Sequence, residues 1–471
     1  MDLNTDLNTG LLEELRAALP HEGAVLTDPD LLRSYEHDEA DLCAYGTPAV
    51  VVRPRTTGQV SAVLRAASRH RVPVIPQGAR SGLAGGANAI DGAIVLSLVA
   101  MNEIIDIDPA NRIAVVQPGV VNAQLRREVA AKGLYYPPDP GSWEQSTIGG
   151  NVSTDAGGMC CVKYGVTSDH VIGLEVVLAS GEVLNCGRRT AKGVAGYDLT
   201  SLFVGSEGTL GVITEITVKL RPAPLSSLTL VAVFDTLPAA GAAVESIIAA
   251  GMQPSMLEVI DRVTLSAIEA FRPMGLPTTA AALLIAAVDS GAGAPDDLAA
   301  IAGLCQRAQA AEVHVATDAS EADALLAARR LAHPAMEQFA TQLFPAGGGV
   351  MVDDVAVPRT RLVELIEGIE GIAAEHGTVV ATVGHAGDGN LHPIIVIDRS
   401  DPTSLARGQK VFDAIMSLGL SLGGTSTGEH GVGLLKRDWL AREIGPTGLK
   451  AHRSIKAALD PDNILNPGKI F

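Results

Sequence analysis

The stretch Val74-Ile75-Pro76-Gln77-Gly78-Ala79-Arg80-Ser81-Gly82-Leu83-Ala84-Gly85-Gly86 decides the reading of the N-terminal half. A short apolar run enters a glycine cluster whose successive unhindered N–H groups can wrap an anion. The cluster carries neither the Gly-x-Gly-x-x-Gly spacing of a nicotinamide site nor the Lys of a Walker loop, which disfavours both of those nucleotide sites. Alone, it is as compatible with an ordinary glycine loop as with a phosphate cradle.

Two more glycine-rich regions change that balance. Pro137-Pro138-Asp139-Pro140-Gly141 leads through Thr147-Ile148-Gly149-Gly150-Asn151 to Gly157-Gly158, and Gly205-Ser206-Glu207-Gly208-Thr209-Leu210-Gly211 follows. Three such loops in one domain suit a long, many-sided ligand. A dinucleotide such as FAD needs backbone amides at its pyrophosphate and again around its ring system.

Around these loops, from Ala49 to Leu220, β-branched runs alternate with one clear helix over 59–69, which reads as a mixed α+β domain. Leu11, Leu12, Leu15 and Leu19 place a short amphipathic helix over 10–19 that stops at Pro20. The prolines of Pro222-Ala-Pro-Leu-Ser-Ser227 mark a boundary. Beyond it, strands over 228–234, 256–260, 281–288 and 350–357 alternate with Ala-rich helices, an order that predicts a sheet covered by helices on one face. The expected organisation is a lead-in over 1–45, one domain over 46–225 and a second over 226–471, a division that a chain of 471 residues supports.

The formal charge of −18 repels phosphate backbones and argues against nucleic-acid partners. Five cysteines, including the adjacent Cys160-Cys161, form no metal or redox motif and read as reduced thiols. Met1-Asp2-Leu3-Asn4 lacks the basic start of a signal peptide. The longest apolar stretch, over 280–288, is about half of the ~20 residues a membrane span needs, so a cytoplasmic protein is expected, with any membrane contact peripheral at the inner face.

A second constellation is Gly384-His385-Ala386-Gly387-Asp388-Gly389-Asn390-Leu391-His392, followed by Gly428-Glu429-His430-Gly431. If Asp388-Gly389 forms a two-residue turn, His385 pairs directly with His392 across a hairpin. Directly opposed Cβ atoms lie about 4.5–5.5 Å apart, close enough for both imidazoles to bind one ion. Glu429 completes a two-His, one-carboxylate set that leaves positions open for chemistry. Zn²⁺ is the first choice of divalent metal, and Mn²⁺ or Fe²⁺ can use the same ligands.

Among other charged pairs, Arg126-Arg127 and Lys436-Arg437 read as solvated charges. Arg329-Arg330 lies in an otherwise apolar helix, where a guanidinium could serve an anionic substrate.

These marks together resemble the flavoprotein family of p-cresol methylhydroxylase and vanillyl-alcohol oxidase, in its D-lactate dehydrogenase and glycolate oxidase flavoprotein-subunit branch. They are Pro76-Gln-Gly-Ala-Arg80-Ser-Gly82, Pro138-Asp-Pro, Thr147-Ile-Gly-Gly-Asn151, Gly205 to Ile213, His385 to His392, Glu429-His-Gly and Asn466-Pro-Gly-Lys469. The resemblance spans nearly the whole chain. It implies an α+β fold, with a two-part FAD-binding domain plus a substrate (cap) domain built on a helix-covered antiparallel sheet, whose C-terminal segment returns to the flavin.

Carried over residue by residue, the resemblance gives FAD contacts to Pro76, Gly78, Ala79, Arg80, Ser81, Gly82, Leu83, Pro138, Asp139, Ser146, Thr147, Gly150, Asn151, Ser153, Thr154, Gly157, Gly158, Glu207, Gly208, Ile213 and Asn466. It places the metal on His385, His392 and Glu429, makes His430 the base, and matches Arg329 to a substrate-carboxylate arginine, although Leu326 replaces a Trp common in relatives. Relatives that bind flavin covalently carry a His where this chain has Leu83 and Ala84, which implies noncovalent FAD. Val352 and His392-Pro393-Ile394 replace groups that would hold a second carboxylate. The implied reaction is oxidation of a small D-2-hydroxy acid, D-lactate or glycolate, with electrons passing to an acceptor that no short motif identifies. Rival readings are a D-2-hydroxyglutarate dehydrogenase, a nicotinamide-driven flavin reductase and a flavin subunit that only carries electrons.

Overall fold

The computed structural model describes residues 9–40, 42–225 and 227–471. The start Met1-Asp2-Leu3-Asn4, with the rest of 1–8, lies outside the described residues, as do Asp41 and Ser226. The chain forms two compact units. The first takes in the chain through Gly157, then Gly165–Ala223 and Glu429–Phe471, and the second comprises Gly158–Tyr164 and Pro224–Gly428. Where one domain over 226–471 is expected, the segment from Glu429 onward groups with the first unit.

The first unit holds two larger sheets, in keeping with the two-part α+β design expected, and a small two-stranded one pairing Arg221–Pro222 with Leu134–Tyr135. In one, Val25–Leu26, Val50–Val52, Ile94–Ser97 and Val74–Gln77 lie in that order. Its three longer strands run parallel. Val50–Val52 is buried at every residue, the pattern of a strand covered on both faces. Helix Thr57–His70 covers it, capped by the Thr56 side chain on the Gln59 amide and stopped by Arg71 at φ 53°. The leading helix Thr9–Ala18 buries Leu11 and Leu15 in the same core, with Leu19 just beyond it. The other sheet is antiparallel, ordered Ile104–Asp108, Ile113–Val116, Val212–Lys219, Val171–Val177, Val183–Gly187.

Strand Val74–Gln77 is an edge of its sheet, and its C-terminal end opens into the 78–86 loop. Its Val74 forms a parallel bridge with Leu465, so the last residues of the chain return to that loop.

The second unit is built on one eight-stranded sheet. Its path runs Glu312–Val315, Leu228–Phe234, Ala282–Val288, Met256–Asp261, Val380–His385, Asn390–Asp398, Gly348–Val352, and Val355–Ala356 also pairs with Asn390–Asp398. Every pairing is antiparallel. Helices cover both faces rather than the single face expected. On one side Leu283, Ile285, Val383 and Ile394 pack with Ala328, Ala332 and Met336. On the other, Gly408 of helix Pro402–Ser421 approaches Ile397 and Met351. The apolar run over Ala282–Val288 shows no alternation because all seven residues are buried.

The strand expected over 350–357 is broken. It ends at Val352 and resumes at Val355–Ala356; between them the buried Asp353 still donates its amide to the Pro393 carbonyl of the neighbouring strand, whereas the Asp354 amide turns to the Asp353 carboxylate.

Ile285 sits at the centre of this sheet with no exposed surface. Ile285→Ala is expected to lower the unfolding free energy of the second unit by ~2–5 kcal/mol in urea titrations. A loss below ~1 kcal/mol would show that this strand does not carry the core.

Candidate active site

In the first unit, the glycine loops converge as a cradle. Arg80 adopts φ 60° and stacks its guanidinium 4.8 Å from the Tyr35 ring centroid. A left-handed residue among glycines turns successive amides inward, as an anion nest requires. A Cβ on Gly78 would stand 2.5 Å from Thr147 Oγ1, so only glycine lets this loop approach the next. Thr147 caps helix Ile148–Thr154 by accepting the Gly150 amide. Asn151 Oδ1 accepts from Asn122 Nδ2 at 3.0 Å, and the same amide group reaches the Pro138 carbonyl at 3.2 Å. The hydroxyls of Ser153 and Thr154 donate to the carbonyls of Gly149 and Gly150, Asp139 is buried, and Ile213 lies in the core of the antiparallel sheet.

The C-terminal segment closes this cradle. Asn466 Nδ2 donates to the carbonyls of Gly86 and Glu207 at 2.9 and 2.7 Å. The Val432 and Gly433 amides donate to the Glu207 carboxylate at 2.7 and 2.8 Å, beside Gly208. A Cβ on Gly157 would meet the Glu429 carboxylate at 2.2 Å, so Glu429 is seated against the loop expected to meet FAD. His430 follows, with its Nε2 4.0 Å from Glu429 Oε1. Among the described residues, the buried Gln77 Oε1, Ser146 Oγ and Asn466 Oδ1 have no hydrogen-bond partner. Orphaned acceptors of this kind, lining glycine-narrowed loops, fit a polar cofactor such as FAD.

Arg126 and Lys436 differ from the solvated charges expected. Arg126 Nη1 donates to the carbonyls of Tyr136, Pro137 and Pro138 and its guanidinium stacks on Tyr135 and Trp143, stiffening the 136–138 segment. Lys436 is fully buried. Arg127 is exposed, paired with Glu128.

In the second unit, His385 and His392 meet, but through another register. His385 pairs with Asn390 and His392 with Val383. The turn spans four residues, a 3₁₀ bend over Ala386–Asp388 closed by Gly389 at φ 77°. The two imidazoles are therefore diagonal neighbours on one face, with ring centroids 5.1 Å apart at 83°, and their ligand nitrogens lie within 4.8 Å. Gly158 also falls in this unit.

Each imidazole has a buried carboxylate beside its Nδ1. Glu258 Oε1 lies 2.8 Å from His385 Nδ1, which places the proton on Nδ1 and leaves the Nε2 lone pair as the ligand atom. Asp354 Oδ1 lies 3.7 Å from His392 Nδ1, beyond hydrogen-bond reach, and Asp354 accepts from Asn390 Nδ2, Thr427 Oγ1 and the Gly428 amide at 2.7, 2.8 and 2.9 Å. Arg329 Nε donates to Glu258 Oε2 at 2.8 Å, whereas Arg330 is exposed. Two imidazoles on one face, one of them already oriented through its Nδ1, fit a divalent cation. Glu258, Asp354 and Asn390 were not singled out from the sequence. Glu258 and Asp354 are marked there only as acids in or beside apolar runs, and Asn390 only as a member of the His385–His392 motif.

Residues 48–187 match the model of the FAD binding domain, and residues 223–470 match that of the FAD linked oxidases, C-terminal domain. The chain belongs to the FAD-linked oxidases. This oxidase is 44% identical over 425 residues to the glycolate oxidase subunit GlcD of Bacillus subtilis, covering 90% of this chain and 89% of that one. It is 38% identical over 463 residues to GlcD of Escherichia coli, covering 98% and 91%. With the D-lactate dehydrogenase of Anaerostipes hadrus it shares 35% over 472 residues, covering 98% and 97%. Its fold follows that of p-cresol methylhydroxylase with a TM-score of 0.79 at 19% identity, over 98% of this chain and 96% of that one. It is thus an FAD-dependent oxidoreductase of the p-cresol methylhydroxylase fold. Among the described residues, no helix of this oxidase is long and apolar enough to cross a membrane.

Burial pushes Glu207 of this oxidase from 4.5 up to about 7, against the two amides that favour its charge. Between these values the folded state binds more protons than the unfolded chain, so the stability this group contributes is full in acid and is lost as the pH rises through about 7. Asp38, pushed by burial to about 6, acts with the same sign. The thermal midpoint of the FAD-free protein is expected to fall from about pH 5 to about pH 8, and less steeply in Glu207→Gln. An unchanged slope in the variant would assign the effect elsewhere.

Proposed function

We propose that this chain oxidises a small D-2-hydroxy acid, D-lactate or glycolate, to the 2-keto acid. The observation that carries the reading is the pair of imidazoles 5.1 Å apart, one held at its Nδ1 by Glu258, in a chain similar to proteins named glycolate oxidase subunit and D-lactate dehydrogenase.

His385 and His392 hold a divalent cation, with Glu429 as third ligand and zinc as the first candidate. When bound, the cation supplies Lewis acidity that lowers the pKa of a 2-hydroxyl. FAD, bound without a covalent link because Leu83 and Ala84 offer no nucleophile, supplies a two-electron acceptor for the C2 hydride. Arg329 binds the substrate carboxylate and so decides which face of C2 is presented. A ring nitrogen of His430 takes the hydroxyl proton.

A monocarboxylate is favoured over a dicarboxylate. Val352 stands opposite Ile394 in the ladder, and Pro393 and Ile394 are buried. A second carboxylate facing these residues would lose its water without gaining a donor.

The test is anaerobic flavin bleaching. His385→Ala and His392→Ala should each slow bleaching by D-lactate and glycolate by at least ~10²-fold while leaving the bound-FAD spectrum unchanged. Full-rate bleaching in either variant would exclude the cation from the reaction. Reduction by NADPH but by no hydroxy acid would instead identify a flavin reductase.

A further inference from the structure

Glu258 belongs to no ligand set proposed above, yet its side chain beside the paired imidazoles is fully buried. It lies within strand Met256–Asp261, every residue of which is buried. Its two oxygens serve different partners. Oε1 faces His385 Nδ1 at 2.8 Å, and Oε2 accepts from Arg329 Nε at 2.8 Å. The three residues come from separate elements, since Arg329 lies in the last turn of helix Ala319–Arg330 and His385 ends strand Val380–His385.

From this geometry we infer that Glu258 is a positioning residue that locks the carboxylate-binding Arg329 and the cation ligand His385 into one rigid arrangement, and so supports cation and substrate affinity together. The inference rests on the reading of His385 and Arg329 given above. A bond to Nε fixes the plane of a guanidinium and leaves its Nη edge directed away, the edge that grips a carboxylate through two parallel bonds. A bond to Nδ1 fixes the imidazole plane and presents Nε2. One planar carboxylate making both bonds sets the angle between those two ligand directions. The Glu258→Gln substitution cannot reproduce this, because the amide nitrogen of a glutamine cannot accept from one of the two donors.

Zinc affinity of the FAD-loaded protein, measured without substrate by competition with a chromophoric chelator, separates this role from a merely structural one. Glu258→Gln should weaken zinc binding ~10–100-fold while FAD content and spectrum stay at the wild-type level. At saturating zinc, the remaining defect should be a rise in KM for D-lactate of ~10-fold or more, through loss of Arg329 alignment. Arg329→Lys, which keeps the charge but not the Nε–H, should weaken zinc binding ~3-fold when Glu258 is present and leave it unchanged in the Glu258→Gln background.

Wild-type zinc affinity in Glu258→Gln, or a zinc defect with KM unchanged, would overturn the shared role while leaving the cation site intact. Equal effects of Arg329→Lys in both backgrounds would also overturn it. A wild-type protein that binds no zinc, manganese or iron(II) would instead reject the cation site, and the shared role with it.

Discussion

A carboxylate cut off from water must find donors inside the protein, and beside the paired imidazoles of the second unit Glu258 and Asp354 each meet that demand. An unpaired buried charge costs several kcal/mol, more than most single contacts return. Glu258 meets the demand with Arg329 and His385, and Asp354 with Asn390, Thr427 and the Gly428 amide. The bonds therefore settle the orientation of the groups around them. The strand is interrupted after Val352, where the Asp354 amide turns to the Asp353 carboxylate.

In the first unit the governing constraint is close approach of backbone to backbone. A Cβ at Gly78 would collide with Thr147 Oγ1 at 2.5 Å, so the two glycine loops meet only as they stand. Arg126 stiffens the 136–138 segment through three carbonyls, and Asn466 ties the last residues of the chain to Gly86 and Glu207. The loops thus form a preset surface rather than one that must be ordered when the cofactor arrives, which lowers the entropic cost of binding.

Much of this was legible in the sequence. The strand over 228–234 appears with those limits, and the strands at 256 and 282 within a residue, since continuous apolar runs between turn signals permit few other structures. The glycine loops and the two histidines also signalled themselves by composition. The hairpin register did not. Gly389 takes the left-handed conformation expected, but Asp388 belongs to a 3₁₀ bend, and the shift converts a direct pair into a diagonal one without moving either histidine to the other face. Charges buried against backbone carbonyls left no sequence mark either. Arg126 looks like any surface arginine until its three carbonyl partners are seen, and Glu258 finds Arg329 71 residues away, beyond any local pattern. An isolated acid in an apolar strand is the one signal that could have pointed to Glu258, and an acid pair between two apolar runs the one that could have pointed to Asp354.

The proposed chemistry requires a divalent cation and a bound flavin to act on one hydroxy acid. The decisive measurement is the anaerobic titration of chelator-treated, FAD-loaded protein with zinc in the presence of excess D-lactate, following flavin absorbance. Bleaching should be absent without metal and grow with added zinc until about one ion is bound per chain. Complete bleaching of the metal-free protein at the same rate would contradict that requirement.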